Sequence, residues 1–196
     1  MKVMFVTNEY PPHIYGGAGV HVEYLSKELA KLMEVEVRSF HDQHFKEGNL
    51  SVSGKTPDGS LFKDCPKQIV SPLKAFYEGL VFSGEGMDAD IAHCHTWYAH
   101  FAGILAKMLY GIPLVITVHS LEPLRPWKRE QLGRGYDVSS WVEKTISGSV
   151  FPRIAIWSNE IDVITLTNGS FITLVASSKP PNPVSRKTSS HFCSTK

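Results

Sequence analysis

The sequence predicts an α/β fold, a mostly parallel, doubly wound, Rossmann-like sheet. Three observations carry this expectation. The first forty residues read strand, glycine-rich loop, helix, strand. A second β-α-β unit closes on the strongly apolar run Leu114 to Val118. Polar motifs follow the strands, at the edge where parallel sheets bind their ligands. The chain has 196 residues, of which 42 % are apolar, which suits one globular domain, or one domain and a tail.

The elements follow in order. Val3-Met4-Phe5-Val6 is a continuous apolar run, as expected of a strand buried on both faces. The loop from Thr7 to Gly19 carries Pro11-Pro12 and then Gly16-Gly17-Ala18-Gly19. Val22, Leu25, Leu29 and Leu32 fall at helical spacings of three and four. Val35 to Arg38 alternates as a second strand, and the unit implies a right-handed parallel crossover. His41 to Pro66 is polar, with a turn signal at Thr56-Pro57-Asp58-Gly59, and reads as a loop or small hairpin inserted in the sheet.

Ser71-Pro72 has the pattern of a helix start, with Leu73, Phe76 and Leu80 directed inward. Asp90 to His93 is a short strand. Tyr98 to Tyr110 is a helix with Phe101, Ala102, Leu105 and Leu109 on one face; Gly111 caps it and Pro113 stops it. The prolines between His119 and Lys128 exclude a regular helix or central strand there. Ser140 with Glu143 three residues on is a capping-box pattern for another helix start. Phe171 to Val175 is apolar but has no evident partner strand, and from Ser177 on the composition cannot offset its ordering entropy.

Composition narrows the classes. The net charge of +1 argues for neither nucleic acid nor a membrane surface as partner. No run approaches the roughly 18 apolar residues of a membrane span. Three cysteines, widely spaced and odd in number, fit reduced thiols in a cytoplasmic protein better than a disulfide framework.

Four motifs carry chemistry. Tyr15-Gly16-Gly17-Ala18-Gly19, between strand and helix, lets backbone amides and a helix N-terminus approach a phosphate or another anion, although the spacing is neither GxGxxG nor a P-loop; the plain reading is a tight turn. His93-Cys94-His95-Thr96-Trp97 ends a strand, with His93 and His95 on one side. A metal site there would need further ligands that the spacing does not supply, so no metal or other cofactor is expected. His119, after Thr117-Val118, reaches the same edge, as a ligand-facing or merely capping residue. The loop from Leu121 to Tyr136, with Arg125, Trp127, Lys128, Arg129 and Tyr136, could line a sugar site or be a solvated surface loop.

Together these residues resemble a known family. The opening, with Asn8-Glu9-Tyr10-Pro11-Pro12 and Tyr15 to His21, looks like the start of GT-B glycosyltransferases of the glycogen/starch synthase type. His93 to Tyr98, Thr117 to Lys128, Gly135-Tyr136 and Ser139 to Thr145 are similar to the prokaryotic, actinobacterial-type NDP-glucose glucan synthases. The resemblance implies retaining transfer of glucose from ADP- or UDP-glucose to an α-1,4-glucan, without an obligatory metal. It implies that Gly16, Gly17 and Gly19 approach the donor phosphates. It places His119 beside the transferred sugar, and Tyr15, His95, Thr96, Trp97, Glu122, Arg125, Trp127 and Lys128 along the cleft and acceptor surface. Many relatives have aspartate where this chain has Thr96, which weakens acid-base work at that position.

The resemblance covers residues 1 to 147 and makes them the acceptor-side N-terminal domain. Residues 148 to 196 match nothing in the pattern, and their composition reads as a disordered tail, from truncation or a frame shift. On this expectation the donor-binding second domain is missing and the isolated chain is inactive. Two other readings stay open: a non-catalytic glucan- or partner-binding remnant, and a metal-dependent hydrolase using His93, His95 and His119.

Overall fold

The structure is a computed structural model that describes residues 1–120, 122 and 125–144, with the backbone of two further strands at 164–167 and 171–176. Among the described residues, eight strands form one sheet. They are β1 (Lys2–Thr7), β2 (Glu34–Ser39), β3 (His44–Glu47), β4 (Leu50–Gly54), β5 (Ile91–His95), β6 (Leu114–Val118), β7 (Ile164–Thr167) and β8 (Phe171–Ala176). Their spatial order is β3-β4-β2-β1-β5-β6-β8-β7. The five from β4 to β6 run parallel, and both flanks turn antiparallel.

The continuous apolar run of β1 is explained by its central place. Its side chains alternate between two cores, as a pleated strand requires. Val3 and Phe5 join Val22, Val35, Val37, Leu50 and Val52 on one face, under α1 (Gly17–Ala30). Met4 and Val6 join Ala92, Cys94, Leu114 and Ile116 on the other, under α2 (Lys67–Gly84) and α3 (Thr96–Tyr110). Helices on both faces of a parallel sheet make the fold doubly wound, as expected.

Chain ends of elements obey local chemistry where the signal is local. Gly111 caps α3 at φ 68°, the left-handed conformation that favours glycine. The inserted segment is a hairpin, β3 against β4, with β4 extending the parallel sheet beside β2. Asp58 caps a short 3-10 turn by accepting from the Ser60 amide at 2.9 Å.

Several expectations are corrected. The second helix begins at Lys67, not Ser71, and Pro72 lies inside it. A proline there leaves the Gln68 carbonyl without its helical donor, and Gly135 packs directly against that carbonyl. Leu80 and Leu109 are exposed, as is Leu32 beyond the end of α1. The face α3 turns to the sheet is made of small residues: Ala99, Ala102, Gly103 and Ala106. Gly103 has no room for more, since a Cβ would lie 2.6 Å from both Cys94 Sγ and Leu114 Cδ1. Gly79 of α2 plays the same part against Phe101 and Ala102 of α3, a Cβ there coming to 2.9 Å from the Phe101 ring.

Ser140 does not start a helix. After the short α4 (Lys128–Leu132), residues 134–144 are already helical, here α5. Phe171–Ala176 does have a partner, pairing antiparallel with Leu114–Val118. The disorder expected for the rest of 148–196 concerns residues outside those described.

Candidate functional site

The C-terminal ends of β1, β5 and β6 lie side by side, in register at Phe5, His93 and Val115. The loop after each strand therefore opens on one edge, which gathers the glycine loop, His95-Thr96 and His119.

The glycine loop is held by a residue that the sequence did not nominate. Glu9 Oε2 accepts hydrogen bonds from the Tyr15 and Gly16 amides, both at 3.0 Å. Glu9 is itself fixed by Thr7, whose hydroxyl donates to the Glu9 carbonyl at 3.0 Å. A carboxylate at a helix N-terminus is stabilised by unpaired amides and the helix dipole. The glycines separate into two kinds. A Cβ on Gly19 would sit 3.0 Å from Glu9 Oε2 and 3.1 Å from Ile14 Cγ1, so this glycine admits the carboxylate. Gly16 and Gly17 face open space, with nothing within 4 Å of a Cβ. Tyr15 is exposed beside them.

At the next two strands the side chains close on one another. The His93 and His95 rings lie 4.2 Å apart on one side of β5, as the strand period required. Phe5 stacks on His95 at 5.4 Å. His93 Nε2 is 2.8 Å from Thr117 Oγ1, and His95 Nδ1 is 3.2 Å from His119 Nε2. His21, from α1, completes the group, with its ring 5.6 Å from His95 and 5.2 Å from His119.

Burial drives every ring of this group towards the neutral form. It pushes His93 down to about 3 and His119 down to about 4, and holds His95 well below the usual histidine range. Neighbouring imidazoles act in the same direction. The rings spend nitrogens on Thr117 and on each other. Among the described residues, no group of three or more His, Cys, Asp or Glu side chains is placed to hold a metal ion.

Thr96 turns the chain from β5 into α3 at φ 64°. A β-branched residue in the left-handed region costs on the order of 1–3 kcal/mol, a strain found most often at functional sites. Among the described residues, its Oγ1 is buried without a hydrogen-bond partner, as is His95 Nε2. Trp97 departs from the cleft-wall expectation: the next position of α3 faces inward, and Trp97 belongs to the core, stacked on Tyr98 at 4.0 Å.

The charged residues after β6 pair among themselves. Glu122 is buried, with Oε1 3.4 Å from Lys128 Nζ and 3.6 Å from Arg125 Nη1. Its carbonyl accepts from the Tyr136 hydroxyl at 2.9 Å, and its amide donates to Glu143 of α5. Burial, with Glu122 as a neighbour, pushes the Glu143 carboxyl up to about 7. Trp127 is exposed. Leu121, Pro123 and Leu124 of this loop lie outside the described residues.

Glu9, His21 and Glu143 are the site residues that sequence reasoning missed. Glu9 had a signal, an acidic residue just ahead of a glycine loop. His21 and Glu143 stood inside motifs without a site role, because their partners come from distant strands and loops.

The described residues define a class by fold, an open-edged, doubly wound, Rossmann-like α/β domain that gathers a glycine loop and a neutral histidine group at one sheet edge. The chain belongs to Glycosyltransferase Family 4, which it matches over residues 15–162. It is 43 % identical to an alpha-maltose-1-phosphate synthase of Mycolicibacterium smegmatis, over 85 % of this chain and 41 % of that protein. It is 26 % identical to a glycogen synthase of Mycobacterium tuberculosis, over 82 % of this chain and 44 % of that protein. The chain thus spans about two fifths of the length of these relatives. A sucrose-phosphate synthase structure from Thermosynechococcus elongatus matches 80 % of the chain at a TM-score of 0.50 and 13 % identity, covering 45 % of that structure, a likeness of fold alone. Among the described residues, no helix is long and apolar enough to cross a membrane.

Proposed function

We propose that this chain forms the acceptor-side domain of a retaining glucosyltransferase, moving glucose from ADP- or UDP-glucose to an α-linked glucose acceptor. The observation that carries this reading is the 43 % identity, across most of the chain, to an alpha-maltose-1-phosphate synthase. The product in that name is maltose 1-phosphate, and glucosyl transfer that makes such a product would take glucose 1-phosphate as acceptor. The 26 % identity to a glycogen synthase favours a second acceptor, the end of an α-1,4-glucan.

The site suits such chemistry. Gly16 and Gly17 leave space for donor phosphates, which would take the amides that Glu9 now holds. His119, neutral and held by its neighbours, offers a fixed polar group beside a transferred sugar. Glu122, Arg125 and Lys128 would present paired charges to acceptor hydroxyls or phosphate. No step calls for a metal or another cofactor. A non-catalytic glucan-binding role would use the same surface without turnover.

The test is radiolabelled glucose transfer by a chimaera joining residues 1–147 to the remaining length of the Mycolicibacterium smegmatis relative. Transfer to glucose 1-phosphate is expected, with kcat at least about tenfold lower in His119→Ala, or about 1.4 kcal/mol in the barrier. Transfer to glycogen alone would select the second acceptor. A folded chimaera that transfers to neither would sink the reading. The 196-residue chain by itself is expected to be inactive, since a few exposed amides worth about 0.3–1 kcal/mol each cannot hold a charged donor in register.

A further inference from the structure

We propose that Arg125 and Lys128 form a subsite for a terminal phosphate group, the phosphate of a sugar-phosphate acceptor. Its use in turnover rests on the glucosyl-transfer reading; the charge arrangement behind it does not.

Glu122, Arg125 and Lys128 stand three residues apart. The Arg125 amide donates to the Glu122 carbonyl at 2.9 Å, and the Lys128 amide donates to the Arg125 carbonyl at 3.0 Å. Successive turns of this kind set every third side chain above the last. The three charged groups therefore form a column. Glu122 is its buried end, with 5 % of its side chain exposed, and Arg125 and Lys128 are its open end, at 34 % and 24 %. α5 pins the buried end through the backbone, since the Glu122 carbonyl accepts from the Tyr136 hydroxyl and its amide donates to Glu143.

The two cations are gathered without being tied. Both approach one carboxylate oxygen, Glu122 Oε1, Lys128 at 3.4 Å and Arg125 at 3.6 Å. A committed charge-assisted bond to a carboxylate is about 2.7–2.9 Å long. Among the described residues every other ion pair is 3.1 Å or shorter, including that of the neighbouring Arg129 with Asp137 at 3.0 Å. One carboxylate faces two cations, so positive charge is left over. Glu143, the other carboxyl near them, is pushed up to about 7, chiefly by burial, and below that pH it adds little compensating charge. A phosphate monoester carries about −1.5 to −2 near pH 7. The Arg125 fork suits two of its oxygens, and Lys128 supplies a point charge to a third. A neutral glucan end gains nothing from the surplus charge, so the pair favours a phosphorylated acceptor.

The column also stands at the edge where the other motifs meet, beginning just beyond His119. Burial above all, and then the charges of Glu122 and Glu9, push the Tyr98 hydroxyl up against its hydrogen bond to Ser71. One side chain thus senses both the column and the carboxylate of the glycine loop.

The experiment is NMR titration of the ¹⁵N-labelled 196-residue chain with glucose 1-phosphate, maltose and ADP, each alone. Glucose 1-phosphate should shift the Arg125 Nε–H and the Lys128 amide, and maltose should not. Lys128→Ala and Arg125→Ala should each weaken glucose 1-phosphate binding about tenfold, or about 1.4 kcal/mol. Lys31→Ala, which removes the same charge at the far end of α1, should leave that binding unchanged. If glucose 1-phosphate moves neither signal in the wild-type chain, the subsite is overturned without any variant having to fold. Undiminished binding by folded Lys128→Ala and Arg125→Ala overturns it too, as do equal shifts with maltose or an equal loss in Lys31→Ala. A stronger response of these two signals to ADP than to glucose 1-phosphate gives the pair to the donor's phosphates and overturns the acceptor assignment. The titration needs no turnover, so the subsite can fail while the transfer assay succeeds, and the reverse.

Discussion

The loop after β1 and the turns after β5 and β6 end on the same sheet edge and are built in opposite ways. The glycine loop is held by one carboxylate, Glu9, and keeps open space beside Gly16 and Gly17. The histidine group is closed on itself, stacked on Phe5 and largely out of water. The first can exchange one anion for another at little cost, because the displaced carboxylate regains its hydration. The second cannot rearrange without leaving buried polar atoms unpaired. A site that must accept a charged ligand and yet aim one group needs both kinds of construction.

The comparison breaks most readily at the footing of the histidine turn. Gly103→Val should destabilise the fold by about 3 kcal/mol, since the added carbons meet Cys94 Sγ and Leu114 and must lift α3. Urea denaturation measures this; a loss below about 1 kcal/mol would mean that α3 does not brace the turn.

A smaller effect tests the neutrality of the rings. His93, His95 and His119 have folded-state pKa values depressed below the ordinary value of 6.5. Below that value the unfolded chain binds protons that the folded chain refuses, so these groups make stability fall as pH drops from about 6.5 toward about 3–4. Glu143, raised to about 7, has the opposite slope: its contribution is full below about 4.5 and is lost as pH rises to about 7. The difference between variants isolates the rings. Thermal melts of His95→Asn should show a shallower loss of Tm between pH 7 and pH 5 than the wild-type chain. An identical slope would show that His95 is not held neutral.

The smallest effects belong to the open loop. Glu9→Ala should cost about 1 kcal/mol, the worth of its hydrogen bonds to two amides. Gly16→Ala should change stability by less than about 0.5 kcal/mol, its backbone being extended and its surroundings empty. A large loss at Gly16 would mean that the loop is packed rather than open.

What the sequence told in advance, and what it did not, divides along the reach of each interaction. β1 was legible because a strand buried on both faces writes four apolar residues in a row. Gly111 and Pro113 were legible because a helix end is set by its own backbone. His93 and His95 shared a side because the pleat repeats every two residues. Leu80 and Leu109 misled because a helix buries whichever stripe its neighbours leave room for, and here close approach chose alanine and glycine over leucine. Ser140 and Glu143 imitated a capping box, yet the Glu143 carboxylate is spent on the Glu122 amide. The partner of Phe171–Ala176 lies more than fifty residues away along the chain, beyond any local pattern.

Cys94 carries a consequence for measurement. Its thiol lies in the core on the face of β5 opposite the His93 and His95 rings, against Gly103, and burial pushes it up to about 12. In the closed fold it is neither reachable nor ionised, so an alkylating reagent meets almost no thiolate there. Labelling at this position therefore has to wait for α3 to part from the sheet. The rate at which Cys94 is modified, read peptide by peptide in a mass spectrometer, is a built-in clock for the breathing of the site.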